Sequence, residues 1–230
     1  MMFLPLNDTE SNRYGGPPLM TLTLILFNVL IFTVTPLLWS MIPNHFFRLY
    51  GSVPQMIVQG QGGGALASLT SLFLHADIFH LGGNMLFLWV FGKRVEDACG
   101  PWRFLVFYLF CGMCADLLST LIRYEEMIPG IGASGAIAGL LGAYLILFPG
   151  GRIRAFLLLG VVPTLPRIRA FWFLIYWIGM QMVSAFISAF FEADYSINYW
   201  AHLGGFFASV FIVFFLRHES FARYLSNEPV

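Results

Sequence analysis

Six apolar runs divide this chain of 230 residues, at Met20–Met41, Ile78–Val95, Trp102–Leu121, Ser134–Phe148, Phe171–Phe191 and Trp200–Leu216. All but the fourth are long enough to cross a hydrocarbon core of about 30 Å. In lipid every backbone N–H and C=O must find its partner within the segment, so these runs are predicted to be helices. With 58% hydrophobic residues, 10% charged residues and a mean hydropathy of +0.77, the chain is too apolar for a water-soluble domain. The expected fold class is all-α: a polytopic membrane protein with one six-helix domain over residues 20–216. Residues 1–19 and 217–230 are expected to be short cytoplasmic segments. The first of these has no basic n-region, apolar core or small-residue cleavage site, so no cleaved signal is expected.

The few charges inform through position. If the helices alternate and the N-terminus is inside, the cytoplasmic side receives Arg13, Lys93, Arg94, Arg103, Arg152, Arg154, Arg167, Arg169, Arg217 and Arg223. Only Arg48 and Arg123 remain outside, a strong positive-inside bias that places both termini in the cytoplasm. The formal net charge is zero, so no basic face is available for nucleic acid. Cys99, Cys111 and Cys114 fall in or beside one apolar run and read as packing, not as a disulfide framework or a metal site. No metal and no other cofactor is expected.

The fourth run is the structural clue to function. Fifteen residues rise roughly 22 Å as a helix, short of the core thickness. With its Phe148-Pro149-Gly150-Gly151 end held at the cytoplasmic interface by Arg152 and Arg154, its N-terminus stops on the order of 10 Å below the outer surface. Ser134 then lies inside the membrane. The preceding residues, Met127 to Ala133 with Pro129, Gly130 and Gly132, are expected to be non-helical, which lipid tolerates only where backbone lines a wet cavity or is buried in protein. Two connectors are long, Ile42–Asp77 and Pro149–Ala170. The first is aromatic-rich, ends in a glycine tract at Gly60 to Gly64, and is expected to form an interfacial structure.

A serine becomes a nucleophile when a neighbouring histidine takes its proton. The fourth helix carries Gly135, Ala138, Gly139 and Gly142, and the sixth carries Gly204, Gly205, Ala208 and Ser209; small residues at such spacings let helices approach closely in lipid. Ser134 and His202 are expected to meet at the top of that contact. Because Ser134 opens its helix, its backbone N–H lacks an intrahelical acceptor and is available to an oxyanion. His80 and Asn84, four residues apart, share a face and offer two further donors. His75, five residues before His80, is expected to brace the loop, and Gly132, Gly135 and Gly205 are structural positions beside the site. Each feature has a bland reading: Gly-x-Ser-Gly as helix packing, His202 as a satisfied core histidine, Asn84 as interhelical glue. Their agreement on one cavity favours catalysis. Asp116, the one intramembrane carboxylate available to a triad, is by default a hydrogen-bonded structural aspartate. Glu96 and Asp97 are expected to bind local backbone or arginines.

The motifs His75-Ala76-Asp77-Ile78-Phe79-His80-Leu81-Gly82-Gly83-Asn84-Met85, Gly92 through Glu96, Gly132-Ala133-Ser134-Gly135 and Ala201-His202-Leu203-Gly204-Gly205 resemble, in order, those of the rhomboid intramembrane serine proteases of the basic six-helix prokaryotic type. The resemblance runs from about Met20 to Leu216. It implies a Ser134–His202 dyad without a third carboxylate, and an oxyanion site from His80, Asn84 and the Ser134 backbone. It also implies hydrolysis in or near transmembrane segments of membrane-protein substrates that arrive laterally from lipid past the second and fifth helices. A cap at Glu192–Tyr199 and residence among the lipids of a bacterial inner (cytoplasmic) membrane are implied as well. There are departures. Ala138 stands where some members carry an aromatic that stacks on the histidine, so another group must orient His202. The first extracytoplasmic loop lacks a Trp-Arg pair found in some members, and Ser209 replaces a frequent glycine. The alternative within the same resemblance is a non-catalytic rhomboid-like protein that binds unstable membrane helices. A transporter or channel would show repeat symmetry and a path of charges, and neither is present.

Overall fold

The structure is a computed structural model and describes residues 3–9, 12–41, 46–159, 162–191, 197–226, 228 and 230. In chain order it contains strand β1 (Phe3–Asp8), helix α1 (Leu19–Met41) and three short helices, α2 (Phe46–Tyr50), α3 (Pro54–Val58) and α4 (Gly64–Thr70). Helix α5 (Ile78–Phe87) runs through a π-helical turn at Leu88–Gly92 into α6 (Lys93–Cys99), and Gly100 separates this from α7 (Pro101–Ile122). Then come α8 (Ser134–Leu147), strands β2 (Arg152–Leu159), β3 (Val162–Thr164) and β4 (Arg167–Arg169), and α9 (Ala170–Phe191). Helix α10 (Tyr199–Ala208) tightens into a 3-10 run at Ser209–Phe215, and α11 (His218–Leu225) closes the order.

Every apolar run of the sequence is thus helical. α1, α7 and α9 are each long and apolar enough to cross a membrane, and two bent pairs, Gly64–Phe73 with Ile78–Cys99 and Tyr199–Phe215 with His218–Leu225, bring the candidate spans to five. α8, with 14 residues, is the shorter apolar helix. The bends of 84° and 104° turn the α4 segment and α11 across the helices they adjoin. α11 has opposed polar and apolar faces, as suits a helix lying along an interface. The sixth apolar run was expected to be α-helical throughout. Its second half, Ser209-Val210-Phe211-Ile212-Val213-Phe214-Phe215, adopts the tighter 3-10 helix instead.

α8 lies at the centre. Ala136, Ala138, Leu140, Leu141 and Ala143 are all fully buried, so this helix is apolar all round because it is enclosed all round. Its glycines set the spacing to its neighbours. A Cβ at Gly139 would overlap Cys111 of α7, and a Cβ at Gly205 of α10 would overlap the Gly135 carbonyl. Ser209 is accommodated because Gly142 faces it; a Cβ there would collide with the Ser209 side chain. The three cysteines are free, and Cys111 serves as a packing residue.

At the opposite end of α8 from Ser134, buried charges tie the elements together. Arg94 pairs with Asp8 at 3.3 Å, and Tyr144 Oη donates to the same carboxylate at 3.0 Å. Asp97 accepts from the backbone of Arg13 at 2.6 Å and from Tyr14. Glu96 accepts from Met20 N at 2.9 Å and from Thr21 N and Oγ1 at 2.8 and 2.7 Å. It therefore caps the N-terminus of α1 from 75 residues away, where a local partner had been expected.

The mostly helical chain also carries a sheet that the hydropathy pattern did not reveal. β2 pairs antiparallel with β1 on one edge and with β3 and β4 on the other. The signal was the period-2 alternation Arg152-Ile153-Arg154-Ala155 and Arg167-Ile168-Arg169 inside what reads as a connector.

Candidate active site

The loop from Met127 to Ala133 is non-helical, as expected, and is anchored by backbone pairing. Ser52 and Gly130 exchange N–H···O bonds of 3.0 and 2.6 Å, and Gly132 N donates to Ser71 O at 2.9 Å. Gly132 sits at φ +120°, a conformation side chains rarely adopt, and a Cβ there would lie 2.7 Å from His80 Nε2 and 3.6 Å from Asn84 Nδ2. Only glycine lets the backbone pass this close to His80 and Asn84. Two residues later Ser134 opens α8, with its N–H free of any intrahelical acceptor.

His80 and Asn84 are positioned by the start of α5. Asp77 caps this helix, accepting from Phe79 N at 2.7 Å and His80 N at 2.9 Å. The His80 and Phe79 amides, in that order, hold the Asp77 carboxyl below the usual carboxylate range. The α-helical phase then puts His80 and Asn84 on one face. Asn84 Nδ2 is buried with no hydrogen-bond partner among the described residues.

Ser134, His202, His80 and Asn84 all line one cavity of about 700 Å³. Phe79, Gly83 and Phe87 of α5 form one wall and Trp177 of α9 another, with Ile197 and Asn198 at the start of α10. Of the expected cap, residues 192–196 lie outside the described part of the chain. His75 does not line the cavity. It is buried in the loop before α5, edge-on to His80 with ring centroids 5.1 Å apart. Gly135 and Gly205 sit in the α8–α10 contact beneath the cavity, as described above. Among the described residues no hydrogen bond links Ser134 to His202.

His202 is held by a residue that sequence reasoning missed. Its Nδ1 lies 2.6 Å from Gln181 Oε1, and its ring leans on Trp177 at a centroid distance of 5.7 Å. Trp177 and Gln181 are one turn apart on α9, so one helix face supplies both contacts. This arrangement replaces the aromatic that Ala138, fully buried in α8, cannot provide. The available signal was Gln181 itself, the one side-chain amide in a mostly apolar 22-residue helix. Asn198 fixes the start of α10, accepting from Ala201 N at 3.1 Å and donating to Ser119 at 2.8 Å.

Asp116 does not reach His202. One carboxylate oxygen accepts from Ser52 Oγ, which joins α7 to the loop preceding α3. No cluster of three or more metal-ligating side chains occurs among the described residues.

A family model for the rhomboid domain matches residues 63–219. Among relatives, Rhomboid-like protein 11, chloroplastic, of Arabidopsis thaliana is 29% identical over 179 residues, covering 75% of this chain and 60% of the relative. Rhomboid protein 1, mitochondrial, of Saccharomyces cerevisiae is 36% identical over 95 residues, covering 40% of this chain and 28% of the relative. Rhomboid protease GluP of Bacillus subtilis is 34% identical over 132 residues, covering 57% of this chain and 25% of the relative. The matched part of the chain thus spans less than two thirds of each of these relatives.

Proposed function

The chain belongs to the rhomboid family, and from that premise we propose that it is an intramembrane serine endopeptidase cleaving membrane proteins in or near their transmembrane segments. The catalytic unit is residues 20–216, with six membrane-embedded helices, both termini cytoplasmic and flanking cytoplasmic segments at 1–19 and 217–230. Its expected place is a bacterial inner membrane, and its substrates approach from lipid between α5 and α9. The observation that carries the reading is the convergence of His80 and the unpaired Asn84 Nδ2 on the backbone at Gly132, two residues before Ser134, in the cavity that Ser134 and His202 also line.

In the mechanism this supports, Gln181 Oε1 accepts the Nδ1–H of His202, which leaves Nε2 free as the base. Nε2 takes the Ser134 hydroxyl proton as Oγ attacks the scissile carbonyl. The resulting oxyanion is held by the Ser134 N–H, the Asn84 amide and His80. The imidazolium returns its proton to the leaving amine, an acyl-enzyme remains, and water activated by His202 hydrolyses it. One observation favours the second reading, a rhomboid-like protein that binds unstable helices without cutting them: Ser134 and His202 are not hydrogen-bonded to each other. Cleavage of a transmembrane substrate in proteoliposomes distinguishes the two. Wild type is expected to cut, Ser134→Ala and His202→Ala are each expected to abolish cleavage, and an uncut substrate with a folded wild type would favour binding alone.

A further inference from the structure

The connector between α8 and α9 takes no part in this site, yet it holds four of the chain's twelve basic residues. Arg152 and Arg154 lie on β2, Arg167 and Arg169 on β4, and the register sets Arg152 opposite Arg169 and Arg154 opposite Arg167. Residues two apart on a strand share a face, and directly opposed residues share it too, with Cβ atoms about 4.5–5.5 Å apart. All four guanidinium groups therefore stand on one face of the ribbon, and all four residues are exposed. The reverse face carries Ile153, fully buried, and Ile168, half-buried. A one-residue slip would turn the arginines inward, so the burial of Ile153 fixes the charged face in place. Asn7 of β1, which pairs with Arg154, is hydrogen-bonded to Lys93 Nζ and brings a fifth cation to the edge.

No carboxylate pairs with any of the four arginines among the described residues. Like charges directly opposed across a ribbon repel. Basic residues near helix ends orient a membrane protein without needing this alignment, so topology alone does not account for it. A bound anion relieves the repulsion, and a guanidinium fork matches two phosphate oxygens. The position selects the anion. Arg169 immediately precedes α9, and Arg152 follows the end of α8 by five residues. At about 3.3 Å per residue the row begins at the membrane boundary and extends roughly 10 Å from it, within the headgroup layer and one Debye length.

We propose that the face formed by Arg152, Arg154, Arg167 and Arg169 binds phosphate-bearing lipid headgroups of the leaflet where α8 ends and α9 begins. This rests on the membrane character of the chain and not on the catalytic reading, so Ser134→Ala should behave as wild type in its test. The test is the thermal unfolding midpoint of the purified full chain in neutral detergent micelles doped with phosphatidylglycerol, phosphatidylcholine or neither. Phosphatidylglycerol should raise the wild-type midpoint by about 5 °C, and phosphatidylcholine should not. The quadruple variant R152Q/R154Q/R167Q/R169Q should lose most of that shift, each arginine contributing about fivefold in affinity. Should that variant fail to fold, R154Q/R167Q removes one opposed pair and should lose about half. An equal shift in wild type and variant, no shift in wild type, or the same shift from inorganic phosphate alone would overturn the proposal. So would stabilisation by heparin with none by phosphatidylglycerol, which would indicate a soluble polyanionic partner.

Discussion

Replacing Gln181 by leucine keeps the side-chain volume on α9 and removes the acceptor 2.6 Å from His202 Nδ1. The Nδ1–H then loses its acceptor, and the tautomer that leaves Nε2 basic is no longer selected. A lost neutral hydrogen bond of this kind is worth about 1–2 kcal/mol, or roughly 5- to 30-fold in rate. The effect should fall on kcat with KM within about twofold, since Gln181 is not among the residues that line the cavity of Ser134 and His202. Steady-state cleavage of a fluorogenic transmembrane substrate in proteoliposomes separates the two constants. Gln181→Glu restores an acceptor and should recover most of the loss, whereas a purely packing role would be rescued by leucine and not by glutamate. Unchanged kcat in Gln181→Leu would refute the assignment of Gln181 as the group that positions His202.

Asn84→Ala should reduce kcat by about 10²- to 10³-fold without lowering the unfolding midpoint, because its buried Nδ2 has no partner to lose in the resting protein; a stability loss with intact kcat would make it interhelical glue. Gly132→Ala places a Cβ 2.7 Å from His80 Nε2 at φ +120° and should cost about 1–3 kcal/mol of stability together with activity, both read by thermal unfolding and cleavage. Glu96→Ala removes three hydrogen bonds from the start of α1 and should destabilise by about 2–3 kcal/mol with kcat retained in the folded fraction, measured by denaturant titration. The Asp77 carboxyl is held below its ordinary range, so its cap is fully present above that range and is lost as pH falls through the lowered value; Asp77→Ala should flatten this acid limb of the unfolding curve.

The helices were legible because lipid leaves one solution for an apolar run, and the shortness of α8 was legible by counting its residues against the core thickness. The grouping of Ser134, His80, Asn84 and His202 around one cavity was readable from helix phase and small-residue spacing. Gln181 was not, because its role depends on the rotation of α9 relative to α10, which no local pattern encodes. The sequence around Glu96 points to local backbone or arginines for a similar reason: the groups that donate to its carboxylate lie on α1, and nothing between residues 20 and 96 points to that contact. The sheet was hidden by the length of the connector. β4 and the first residues of β2 alternate arginine with isoleucine, a pattern that hydropathy averages to nothing.

Ser134 is proposed to be an activated nucleophile in a site assembled within the membrane. Intact-protein mass spectrometry after exposure to a fluorophosphonate, followed by peptide mapping, tests it most directly. One phosphonyl adduct per chain is expected, located on Ser134, absent from Ser134→Ala and strongly slowed in His202→Ala. A folded wild-type protein that acquires no adduct, or acquires it on another residue, would contradict it.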